Sequence, residues 1–139
     1  MRETIFDPVF VKYGAQLNTS EKRGIFLLGS LTKLLLNIQY STRGAQPFLS
    51  QLMGLKMDER NVQGLLSKVI NKLLEYNSFD LGKAKLAEAI SQYFMESPER
   101  WHLSVDELNY YFVCGMNLYK EINVVLYGKE EEVTSSDDQ

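Results

Sequence analysis

The stretch from Lys22 to Tyr40, KRGIFLLGSLTKLLLNIQY, constrains this chain more than any other. On a helix, Ile25, Phe26, Leu27, Leu28, Leu31, Leu34, Leu35, Leu36 and Ile38 leave almost no wet face. Only Lys22, Ser30, Lys33 and Asn37 make a thin polar strip. A helix apolar nearly all round lies in the middle of a fold or spans a membrane. Spanning takes about 20 uninterrupted apolar residues, and Gly29 and Lys33 interrupt this run. The stretch is therefore expected to be the central helix of a bundle, with a narrow basic strip left open on one side.

The flanking sequence supplies partners for it. Asp7-Pro8 has the form of an N-cap followed by Pro at the first helical position, and predicts a helix from Pro8 to about Leu17. Asn18-Thr19-Ser20 offers a loop and a cap for the central helix. Ser41 to Pro47 reads as a loop, and Phe48 to Met53 as a short helix ended by Gly54. Asp58 is a candidate N-cap for a helix from Glu59 to Tyr76, whose apolar stripe is Val62, Leu65, Leu66, Val69, Ile70, Leu73 and Leu74. Lys83 to Glu96 repeats the pattern. Trp101 is placed to plug the end of the bundle. Ser104-Val105-Asp106-Glu107 is a capping box opening one long last helix as far as Leu126. No alternating strand pattern occurs. The fold class is therefore all-α: a compact helical bundle of about five helices, residues 1–127, with an acidic, disordered tail at 128–139. Gly29 and Gly115 interrupt otherwise strong helices at about 1 kcal/mol each relative to Ala. Close approach of two helices crossing there would compensate.

Charge separates along the chain. Between Lys22 and Lys85, ten Lys or Arg face four acids, and between Leu86 and Tyr127 two face six. The tail adds five acids and Lys129, so the net charge of −3 hides a basic half. Such asymmetry suits an anionic partner. The candidate nucleic-acid-binding set is Lys22, Arg23, Lys33, Arg43, Arg60, Lys68 and Lys72. Lys68 and Lys72 are helical neighbours, and cations beside small donors such as Asn71 suit phosphate, which carries no base information. A plain solvated helix face is the rival explanation for any one of them. Tyr40, beside Arg43, is a candidate base-stacking surface, with rim packing as its rival.

Catalytic chemistry finds little to use. The chain has one cysteine, Cys114, and one histidine, His102. It contains no P-loop, HExxH, GxSxG or HxE…CxxC pattern. Asp106-Glu107 and Asp58-Glu59 are accounted for as caps. The expectation is a non-enzymatic protein with no cofactor and no metal. The first residues, MRETIFDPVF, lack the apolar core of a secretory signal, so a cytoplasmic location is the expectation.

The runs EKRGIFLLGSLTKLLLNIQ, PFLSQLMGLKMDERNVQGLLSKVINKLLEY and SVDELNYYFVCGMNLYKEI resemble the C-terminal region of the large subunit of type I-B CRISPR Cascade complexes. These blocks lie between Glu21 and Ile122 and are apolar patterns with polar anchors, with no catalytic signature among them. The resemblance implies a helical bundle acting as a Cascade small subunit. Such a subunit is made separately from an internal start, and an excised fragment fits the sequence equally well. Its implied partners are the backbone and large subunits, further copies of itself, the crRNA–target DNA complex and the displaced non-target single strand, with no membrane. Base pairing reads sequence in such complexes while protein supplies charge and shape. The alternative is a helical protein-interaction scaffold that never touches nucleic acid.

Overall fold

A computed structural model describes residues 3–14, 16–97 and 101–128. Among them are seven helices and no strand: α1 (Asp7–Lys12), α2 (Ser20–Arg43), α3 (Pro47–Met53), α4 (Glu59–Glu75), α5 (Leu81–Glu96), α6 (Val105–Asn117) and α7 (Tyr119–Tyr127). The bundle thus has more helices than expected, and the tail expectation falls on residues 129–139, outside those described.

α2 is the hub, and it packs against α3, α4, α5, α6 and α7. Ile25, Leu27, Leu28, Leu31 and Leu35 are fully buried in one apolar cluster that also takes Phe10, Val62, Leu86, Phe112 and Ile122. The Thr19 side chain caps the Lys22 N–H, and Gly44, at φ 71°, ends the helix in a left-handed conformation. That conformation favours glycine. α2 therefore runs further at both ends than its apolar run indicates.

Polar contacts fix the directions of its neighbours. The Trp101 N–H donates to Glu59 (3.4 Å) and the His102 N–H to buried Glu21 (3.3 Å), so one connector holds the N-terminal ends of α2 and α4. Arg43 covers the Tyr76 ring where both helices end. α4 consequently runs parallel to α2. α5 runs the other way, since its last turn meets the first turn of α2 through Ser20 and Glu96 (3.2 Å). Trp101 is buried against Phe94 at that end, as a plug would be. Gln39, buried in α2, accepts the Phe48 N–H and so holds the start of α3.

The two glycines mark the tightest place in the molecule. A Cβ on Gly29 would lie 2.1 Å from the Phe112 carbonyl oxygen, and one on Gly115 would lie 1.9 Å from that of Phe26. Only glycine lets α2 and α6 approach so closely. The buried Ser30 hydroxyl donates to the Gly115 carbonyl at 2.8 Å. This carbonyl lies in the last turn of α6, where in-helix donors run out.

Other boundaries differ from expectation too, beginning with α5, which starts at Leu81 with Asp80 as its cap, ahead of the expected Lys83. Asp7 does not cap α1. Phe6 occupies that position, and the Asp7 carboxylate accepts the Thr4 N–H (3.1 Å). α1 also ends at Lys12, ahead of Gly14. The long last helix is two, broken at Leu118. The Leu118 N–H still bonds to the Cys114 carbonyl (2.9 Å), and the next carbonyl, that of Gly115, takes the Ser30 hydroxyl. The apolar stripe continues through the break to buried Ile122, which is why spacing alone joins the two halves.

Candidate nucleic-acid interface

The basic residues divide into those turned inward and those presented outward. Arg23 is half-buried, its Nε donating to the Leu17 carbonyl (2.8 Å) and its guanidinium lying 4.7 Å from the Phe10 ring centroid. It fastens the α1–α2 connection. Lys22 donates to Asn18 (3.2 Å) and lies over the Tyr111 ring of α6. Ser30 bonds to α6 as well, so the expectation of an open strip fails at Lys22 and Ser30, which face α6, while Lys33 and Asn37 are half-buried. Lys33, one turn beyond Ser30 on that stripe, is half-buried and has no ion pair with a described residue. Lys83, counted within the basic half, is buried and bound by Asp80 (3.1 Å) and the Tyr127 hydroxyl (3.0 Å).

What remains outward is largely one helix. Val62, Leu65, Val69 and Leu73 turn α4 inward, and the opposite side exposes Arg60, Gln63, Gly64, Ser67, Lys68 and Asn71. Leu74, which the spacing assigns to the inward stripe, is exposed as well, because it falls past the edge of the buried face. From Arg60 to Lys72 that side carries cations and small neutral groups without one acid. The first carboxylate after Glu59 is Glu75, which pairs with Lys72 at 3.4 Å. Lys68 and Lys72 stand one turn apart, about 6 Å along the axis. Arg60 lies two turns before Lys68 and is rotated partly round the helix, so the row winds as it advances. Arg43, exposed at the end of α2, extends the row past Tyr76 with its guanidinium 5.3 Å from the ring centroid. Arg43 thus meets α4 at Tyr76, one turn past Lys72, with Lys68 one turn before Lys72 and Arg60 further back along the helix, whereas Lys22 and Arg23 are engaged by Tyr111 and Phe10.

Sequence reasoning missed the contact of Arg43 with Tyr76, because nothing in spacing shows that α2 and α4 end together. It also missed a polar latch at the other side of the molecule. Tyr127 donates to Asp80 (2.6 Å), and Lys83 donates to both. Burial alone would raise the Asp80 pKa, but bonds from Tyr127 and Lys83 outweigh it and hold the carboxyl below its ordinary value. Burial, and then the Asp80 carboxylate, push the Tyr127 hydroxyl well above the ordinary tyrosine range. The latch fastens the end of α7 to the start of α5.

An open cleft between residues 3–6 and α5 is lined by Glu3, Thr4, Lys85, Glu88 and Gln92 with apolar neighbours, and includes none of the α4 row. Among the described residues no group of acids, His and Cys is placed to hold a metal ion. No described helix is long and apolar enough to cross a membrane.

The family model for the C-terminal domain of CRISPR-associated protein TM1802 (cas_TM1802) covers residues 1–130. No curated protein and no solved structure matches the chain.

Proposed function

The chain belongs to the CRISPR-associated TM1802 C-terminal domain family, and from that premise we propose that it is the non-catalytic small subunit of a cytoplasmic type I-B Cascade. In this role it packs along the crRNA-guided complex and steadies the displaced non-target strand and the R-loop through phosphate contacts that ignore sequence. One observation carries the reading: the outward face of α4 from Arg60 to Lys72 contains cations and small donors and no acid. Phosphate contacts need charge and donors without base recognition. A displaced strand, whose sequence changes with every target, calls for that kind of contact.

Packing against protein partners falls to another surface. The outward side of α6 exposes Tyr110 and Val113, and α7 exposes Val124. These suit contacts with backbone and large subunits or with further copies of the chain, and leave the α4 row to nucleic acid. The scaffold alternative assigns the basic row to protein as well.

The test is a reconstituted complex carrying Lys68→Glu/Lys72→Glu. On R-loop formation the non-target strand should become more open to a single-strand nuclease, with crRNA content and assembly unchanged. Undiminished protection of that strand would return the row to the scaffold alternative.

A further inference from the structure

We propose that Tyr40, Arg43 and Tyr76, gathered where α2 and α4 end, form a stacking platform for nucleobases of a single strand whose phosphates follow the α4 row. The proposal rests on the nucleic-acid reading above and adds a base-contacting subsite to it.

Four observations support it. Tyr40 is 62% exposed, and its side chain enters no ring pair or hydrogen bond with a described residue. A large ring kept out of the core at the end of the most buried helix has no packing role inside the chain. Arg43, one turn on, is exposed while its guanidinium covers Tyr76. A guanidinium is planar and weakly hydrated and stacks on flat rings, so its outer side is a second surface for a base. Tyr76 is half-buried against the core, which fixes the position of that stack. Finally, the platform continues the cation row: Tyr76 follows Lys72 by four residues, as Lys72 follows Lys68, so rings and ammonium groups succeed one another at about 6 Å steps. Alternating ring surfaces and cations is how sequence-blind single-strand grooves are built.

Stacking acts on bases and the lysines act on phosphates, so removing the bases separates the two. The full chain is titrated with an oligothymidylate of about 12 nucleotides and with an abasic oligonucleotide of equal charge. Wild type should bind the base-bearing strand about tenfold more tightly, in line with one stacked base. Tyr40→Ala should lose that preference and keep its abasic affinity, and Tyr40→Phe, which retains the ring, should keep both. Lys68→Glu/Lys72→Glu should weaken both strands alike. Equal binding of the two strands by wild type, or a preference that survives Tyr40→Ala, overturns the platform while leaving the phosphate row standing. Failure of wild type to bind either strand overturns both.

Discussion

The α2–α6 crossing and the outer face of α4 each contain a mid-helix glycine, in opposite surroundings. At the crossing, any Cβ on Gly29 or Gly115 would collide with backbone of the facing helix. On α4, a Cβ at Gly64 would meet nothing within 4 Å. The first pair stabilises the fold by close packing that offsets poor helix propensity. The second carries the cost of about 1 kcal/mol relative to Ala with no return inside the chain. The same division runs through the polar residues. Ser30 is spent on holding the crossing together, whereas Lys68, exposed, has no ion pair with a described residue. One region is optimised for the molecule itself, and the other is kept open toward a partner.

Substitutions should separate the two regions sharply. Gly115→Ala forces two backbones apart and is expected to cost about 3 kcal/mol or more, read as a fall in urea midpoint or loss of soluble protein. An unchanged midpoint would mean that the helices do not cross there.

The latch comes next. Tyr127→Phe should cost about 1–2 kcal/mol near neutral pH by removing a bond to a carboxylate. Its pH dependence follows from the two shifts. Asp80 titrates below its ordinary value in the folded protein, so its contribution is present above pH of about 4 and fades as acid protonates it. Tyr127 titrates above its ordinary value when folded, so its contribution holds below pH of about 10 and fades as pH climbs further. The difference in Tm between wild type and Tyr127→Phe should therefore be widest between those limits and narrow on both sides. A difference constant across pH would dissolve the latch.

Smaller effects sharpen the contrast. Ser30→Ala should cost about 1 kcal/mol, leaving the Gly115 carbonyl without its donor. Gly64→Ala should reverse the sign and stabilise the free chain by about 0.5–1 kcal/mol. Chemical denaturation of the two variants side by side checks both, and destabilisation by Gly64→Ala would show that α4 is packed where the structure leaves it open.

The crossing was legible in the sequence and the interface only in part, for physical reasons. Burial leaves a periodic trace: the apolar run of α2, the stripe of α4, and two glycines where propensity predicts none. Caps are equally local, which is why Asp58 and Ser104 were readable as helix starts. The break at Leu118 left no trace, since the apolar stripe runs on through it to buried Ile122. Surface cations carry still less information, because Lys or Arg looks the same whether it faces solvent, a ring or a carboxylate. Arg23 and Lys83 turn inward through contacts with Phe10 and Tyr127 that spacing cannot express. Lys68 and Lys72 share an outward face because α4 is amphipathic, and that much the sequence did disclose.

The central claim is that the acid-free face of α4 meets phosphates, and salt dependence tests it most directly. Affinity of the full chain for single-stranded DNA is measured across a range of salt for wild type and Lys68→Glu/Lys72→Glu, with unfolding midpoints in parallel. The variant should unfold within about 1 kcal/mol of wild type, since Lys68 is exposed and Lys72 gives up only a surface ion pair with Glu75. It should bind at least tenfold more weakly at low salt, with a log–log salt slope shallower by about 1–2 as those contacts are lost. An unaltered affinity and slope in a normally folded variant would contradict the account.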